Sequence, residues 1–267
     1  MNLVVDFGNT LVKLAVFDKG ELVAQRCMER LHPSVLEELL SEWPVRRAVV
    51  ASTRGEVDDV AAMLRRRVDY LLEFTSQTSV PIGNAYLTPE TLGRDRLAAA
   101  VGATVLYPGE NVLIVDFGTA VTIDLVTADN TFRGGCISPG VTMRFRALHD
   151  YTAKLPLCAA TGGEGLSGLT TEEAIELGVM NGIAFEIEGY VTRMREKIDG
   201  LRVIFTGGDA KFFVKRIKNT IFANCNLVFC GLNRILEHNA SEEHLDYAGC
   251  RGSRDASLCR IGPDKQY

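Results

Sequence analysis

Hydrophobic residues enter this chain in short runs separated by turn residues, and one arrangement of runs occurs twice. Leu3-Val4-Val5 leads into Asp6-Phe7-Gly8-Asn9-Thr10, and a mostly apolar stretch follows over residues 11–17. Asp18-Lys19-Gly20 is a turn signal before a third extended stretch at 21–24, so the first segment predicts a three-stranded meander. Much later Leu113-Ile114-Val115 leads into Asp116-Phe117-Gly118-Thr119-Ala120, an apolar stretch over 121–126 and a turn at Ala128-Asp129-Asn130. The two aspartates lie 110 positions apart (116 minus 6).

Between and after the copies, strands alternate with helices. Helices are predicted over 35–42, with Ser34 as cap, and over 56–67; strands are predicted over 47–52 and 70–74. Gly93-Arg94-Asp95-Arg96 opens a helical stretch over 97–103, and another helix is expected from 141 to 149. Residues 158–170 read as loop, after which Thr170 and Glu173 form a capping box for a long helix reaching about residue 197. A strand at 203–205, the turn Thr206-Gly207-Gly208, a helix to about 218, a strand at 227–229 and a helix over 232–239 complete the pattern. Past residue 240 the chain turns polar and loses periodicity, which predicts a disordered or adventitious tail. This alternation predicts an α/β layered fold.

A carboxylate at the end of a buried strand is costly to desolvate unless a cation or several donors meet it. Glycine two residues on allows a tight turn and close approach of backbone N–H groups to an anion. Two such hairpins facing each other across a cleft would hold a metal–polyphosphate; a single copy would read equally well as an ordinary turn. Gly163-Glu164-Gly165-Leu166-Ser167-Gly168 matches the dinucleotide fingerprint in letters, but no strand precedes it, so it is set aside. Gly93-Arg94-Asp95-Arg96 taken alone also fits an exposed helix start whose aspartate complements the dipole.

The 267 residues, 46% of them hydrophobic, suffice for one large domain or two moderate ones. A net charge of -5 and the lack of a basic stripe argue against a nucleic-acid partner. Seven scattered cysteines without a C-x-x-C pair, and four histidines without helical metal spacing, suggest reduced thiols and no zinc. No basic leader with a long apolar core opens the sequence and no run reaches membrane-spanning length, so a cytoplasmic protein without a membrane partner is expected.

The duplicated Asp-x-Gly turns, Gly93-Arg94-Asp95-Arg96, Thr122, Gly134-Gly135 through Pro139-Gly140, Thr152-Ala153-Lys154-Leu155-Pro156 and Thr206-Gly207-Gly208 resemble, in order and spacing, the type III pantothenate kinases of the actin-like, sugar-kinase-like ATPase superfamily. The resemblance implies duplicated ribonuclease-H-like halves, each a mixed sheet flanked by helices, with a nucleotide cleft between them. The halves are expected at residues 1–110 and 111–240, with 241–267 outside the family pattern. It also implies ATP-dependent phosphorylation of pantothenate, Mg2+, a monovalent cation (K+ or NH4+) and a homodimer.

Residue by residue, the resemblance makes Asp6, Phe7, Gly8, Asn9, Thr10, Leu11, Val12 and Lys13 the first nucleotide-phosphate loop, Thr119 an ATP contact and Asp116 the monovalent-cation ligand. Asp95 matches the catalytic base; Tyr86, Gly93, Arg94, Asp95, Arg96 and Thr171 match substrate-binding positions. Gly207 and Gly208 resemble the adenosine-side turn. Arg94 and Arg96 could hold an acidic substrate, or one of them could pair with Asp95. Another small-molecule kinase of the superfamily and a non-catalytic ATP-binding regulator are the competing readings. The surroundings of Asp95 argue against the first, and the intact Asp6, Asp95 and Asp116 against the second.

Overall fold

The computed structural model describes residues 1–53, 57–217 and 226–252, with side chains to residue 241. Its elements are β1 (Asn2–Phe7), β2 (Val12–Asp18), β3 (Glu21–Met28), α1 (Pro33–Glu42), β4 (Arg47–Ser52), α2 (Asp58–Arg65) and β5 (Tyr70–Glu73). There follow β6 (Gly83–Asn84), α3 (Arg94–Leu106), β7 (Val112–Phe117), β8 (Ala120–Thr127), β9 (Thr131–Pro139), α4 (Val141–Asp150) and α5 (Thr171–Arg195). The chain continues through β10 (Arg202–Thr206) and α6 (Ala210–Phe213) to α7 (Leu227–Gly252).

Among the described residues ten strands form two five-stranded sheets, in the orders β3-β2-β1-β4-β5 and β10-β7-β8-β9-β6. Each has an antiparallel three-strand meander whose first strand is joined on its other side by a parallel strand, β4 on β1 and β10 on β7. Registers match as well: Asp6 stands opposite Lys13 and beside Ala51, and Asp116 stands opposite Thr122 and beside Thr206. The repeat in sequence is therefore a repeat in topology, as expected of duplicated ribonuclease-H-like halves.

Central strands β1 and β7 are buried on both faces, which explains their unbroken Val/Leu/Ile runs. Leu3, Val5 and Leu14 pack under α1 and α2, whereas Val4, Ala15 and Val49 pack against α3 and α7. In the second sheet Leu113, Val115 and Phe117 meet α5 through Val179, Met180 and Ile183. The opposite face, through Ile114 and Val126, meets Ala99, Ala100 and Ala103 of α3. Helix α3 thus touches both sheets, and its small alanines let it do so closely.

Several expected elements differ. Residues 227–229, expected as a strand, are the first turn of α7; Leu227, Phe229, Leu232, Ile235 and Leu236 are buried at helical spacing. A short apolar run cannot be told from a buried helix segment by periodicity alone. That helix continues past residue 240 to Gly252, over the beginning of the expected tail; residues 253–267 lie outside the described part. Helix α6 is a single turn rather than reaching 218, and residue 218 is not described. Pro33 at the first helical position, with His32 as cap, starts α1 in place of Ser34. Helix α2 begins at Asp58, and residue 56 lies outside the described part.

Candidate active site

Both Asp-x-Gly turns close in the same way. Gly8 N–H donates to the Leu11 carbonyl (3.0 Å) and Gly118 N–H to the Ala120 carbonyl (3.1 Å). The two hairpin tips meet across a cavity of about 610 Å³, and Thr10 Oγ1 lies 3.5 Å from Thr119 Oγ1. Asp6, Asp95 and Asp116 line that cavity together with Asn9, Lys13 and Gly207.

Four acids line the cavity, Asp6, Asp95, Asp116 and Asp209, against two cations, Lys13 and Arg146, which leaves it electrostatically incomplete. Burial, aided by Asp95 and opposed by Lys13, pushes the Asp6 carboxyl up to about 6. Asp116 is also pushed to about 6, by burial first, then by Asp95, and against Lys13. Carboxylates with raised pKa values that face one cavity are waiting for positive charge. Two hard oxygen donors without histidine or thiol suit a magnesium-like ion that takes its remaining ligands from phosphate and water. Among the described residues no group of three or more His, Cys, Asp or Glu side chains is close enough together to hold a metal ion by itself.

The cavity's far wall is the turn after β10. Gly207 has φ +91°, and a side chain there would overlap Asp116 Oδ1 and the Phe117 carbonyl. Asp209 N–H then donates to that carbonyl (3.1 Å), tying the turn to the second hairpin. Gly140 N–H likewise donates to the Thr119 carbonyl (3.1 Å), which brings the start of α4 to the cleft. Thr142, Met143 and Arg146 of α4 consequently line it. Sequence reading missed these three because only the fold brings α4 to a loop some twenty residues away.

Asp95 is exposed at the start of α3. Arg96 backbone N–H donates to its Oδ1 (2.9 Å), and the missing Cβ of Gly93 leaves room for the same oxygen. The flanking arginines reach elsewhere instead of pairing with it. Arg94 Nη1 donates to the Ser52 carbonyl at the end of β4 (3.0 Å), and its Nε is buried without a partner among the described residues. Arg96 sends Nε and Nη2 to the carboxylate of Asp124 on β8. The helix bearing Asp95 is therefore fastened to both sheets.

Other expected site residues are dispersed. Phe7 and Val12 face the core under α1 and α2, so only their backbones can serve a ligand. Tyr86 sits against Arg96, its ring 5.7 Å from the guanidinium carbon. Thr171 is not on the cavity wall; it lines a groove between α4 and α5 with Arg144, Leu148 and Leu155.

A family model described as type III pantothenate kinase matches residues 2–193. The chain belongs to the type III pantothenate kinase family. A type III pantothenate kinase of Phocaeicola vulgatus is 44% identical over 239 residues, covering 90% of this chain and 99% of that protein. One of Christiangramia forsetii is 40% identical over 244 residues, covering 91% and 100%. Among solved structures, a Baf family transcriptional activator of Campylobacter jejuni matches with TM-score 0.59 at 20% identity, over 90% of this chain and 99% of that one. A 2-dehydro-3-deoxygalactonokinase protein of Sinorhizobium meliloti matches with TM-score 0.54 at 12% identity, over 90% and 99%. These last two likenesses concern fold only, and the fold is that of the actin-like, sugar-kinase-like ATPases. For a kinase family the co-substrate is ATP, accompanied by a divalent metal. Among the described residues no helix is long and apolar enough to cross a membrane.

Proposed function

We propose that this protein transfers the γ-phosphoryl group of ATP to the primary hydroxyl of pantothenate, giving 4'-phosphopantothenate and ADP at the first step of coenzyme A synthesis, in the cytoplasm. The observation that carries the reading is the convergence of Asp6, Asp95 and Asp116 on one cavity in a chain of this family. Backbone N–H groups of residues 9–11, with the side chains of Asn9, Thr10 and Lys13, hold the β- and γ-phosphates; Thr119 and the Gly207-Gly208 turn hold the nucleotide from the other wall.

Asp6 and Asp116 would hold the cations: Mg2+ by way of the phosphates, and K+ or NH4+ beside Asp116. When bound, these ions neutralise charge on the phosphates. Asp95 accepts a hydrogen bond from the acceptor hydroxyl and aligns its oxygen with the γ-phosphorus. As the new P–O bond forms and the bond to ADP breaks, the hydroxyl proton passes to Asp95. In a loose transition state most of the acceleration comes from positioning and charge neutralisation. The base contributes about 10²–10⁴-fold.

Gly93, Arg94 and Tyr86 form the acceptor side, and Arg96 contributes its backbone, since its side chain is held by Asp124. Thr171 lies off the cavity, so a contact between it and the acceptor requires a second copy of the chain, in keeping with a homodimer. The test is ADP release by purified protein with MgATP and a panel of alcohols, in K+ against Na+. Pantothenate-dependent release, faster in K+ and with the phosphorylated product seen by mass spectrometry, is expected. Turnover with another alcohol and not with pantothenate would refute the substrate.

A further inference from the structure

The Arg96–Asp124 pair lies behind the cavity wall rather than on it, and it is buried more deeply than any other ion pair among the described residues, at 6% and 2% side-chain exposure. Nε lies 3.2 and 3.0 Å from the two carboxylate oxygens and Nη2 lies 2.5 Å from Oδ1. The guanidinium carbon also sits 5.7 Å from the Tyr86 ring centre and 5.9 Å from that of Phe132. Strand β9 is shaped for the pair: any side chain at Gly135 would overlap Asp124 Oδ1, and the β8–β9 register shifts next to Asp124.

Such a socket is not needed for stability, since well-packed apolar residues commonly replace a buried ion pair at no loss. What an ion pair adds is a fixed geometry, because a bidentate guanidinium–carboxylate contact admits one orientation. Here the fixed object is Arg96, whose backbone N–H holds Asp95 Oδ1 at 2.9 Å. We infer that Asp124 is a positioning residue for phosphoryl transfer: through the Arg96 side chain it locks the first turn of α3, so that the Asp95 carboxylate meets the acceptor hydroxyl in line with the nucleotide.

This rests on the proposed kinase reading, and it adds Asp124 to the residues serving that site. Burial works against the Arg96 charge, but the Asp124 hydrogen bonds and charge outweigh it and hold the guanidinium above its ordinary pKa. Burial also pushes the Asp124 carboxyl above its ordinary pKa, against the lowering by Arg96.

The decisive variants are Asp124→Glu, which keeps both charges but moves the carboxylate by one methylene, and the double variant Asp124→Leu with Arg96→Met, which fills the socket with apolar groups. Melting temperature, ATP affinity and steady-state kinetics are measured for each, using whichever alcohol the parent phosphorylates. A wrong acceptor assignment then shows in the parent alone, whereas the inference is judged by the ratio of variant to parent kcat. Misplacing a reacting group by about 1 Å costs about 10²-fold. A kcat drop of at least about tenfold in both variants is expected, with melting temperature and ATP affinity near those of the parent. Folded variants that keep kcat within about threefold would make the pair structural only and overturn the inference. If the apolar pair does not fold, the Asp124→Glu protein decides the matter by the same ratio.

Discussion

Replacing Asp116 or Asp6 by asparagine in the nucleotide-free protein should stabilise the fold while abolishing its function. Both carboxyls are pushed from 3.8 to about 6, chiefly by burial. The folded state therefore binds their protons more tightly than the unfolded state does. Their contribution is most favourable below the unfolded pKa near 4 and is lost as pH rises through about 6. A shift of about two units corresponds to about 3 kcal/mol for the well-buried Asp6, and less for Asp116, which is partly open to solvent. About half of that, ~1.4 kcal/mol for Asp6, falls between pH 5 and pH 7.5. Asparagine keeps the shape without the charge, so Asp6→Asn should melt about 5–10 °C higher than the parent at pH 7.5 and show a smaller loss between those pH values. Thermal melts at both pH values, with and without MgATP, check this. The parent should gain more from MgATP at pH 7.5 than at pH 5, and the asparagine variants should gain little at either. A parent whose melting temperature rises from pH 5 to 7.5 as steeply as that of the variants would refute the idea that these acids are held in strain for a cation.

Asp95→Asn should lower kcat by about 10²–10⁴-fold with ATP affinity unchanged, and turnover within about tenfold of the parent would remove Asp95 from the base role. Arg146→Ala should weaken MgATP binding several-fold with little change in melting temperature, because Arg146 is an exposed cation on the cleft wall; titration calorimetry reads it. Thr170 accepts from Glu173 N–H (3.2 Å) in a complete capping box, so Thr170→Ala should cost about 1 kcal/mol, seen as a fall of ~2–4 °C in Tm. Against the burial that would raise it, the Thr161 hydroxyl and the backbone N–H groups of Thr161, Gly162 and Gly163, all donating to Glu176, hold its pKa below the ordinary value. Its stabilisation is present above about pH 4.5 and is lost in acid, and Glu176→Gln should speed proteolytic cleavage of the 158–170 loop at neutral pH.

The hairpins were legible in the sequence because their signals are local. A strand that must stay apolar on both faces cannot hide an aspartate at its end, and a short Asp-x-Gly turn carries its geometry in its own residues. The capping box at Thr170 and Glu173 was readable for the same reason. Residues 227–229 were misread because three apolar residues carry no period; only α3 and the first sheet, lying on either side, decide that they belong to a helix. Distance in sequence hid the rest. Arg96 and Asp124 are 28 positions apart and each looks unremarkable alone, one an arginine early in a helix, the other a polar residue in an alternating strand. Family resemblance marked Arg96 as a substrate contact, yet its Nε and Nη2 are turned to a carboxylate inside the fold. A positioning residue acts through geometry that only the packed chain creates. The charges visible in the sequence thus located the cavity, and the buried charges behind it, which sequence cannot pair, explain why Asp95 faces that cavity.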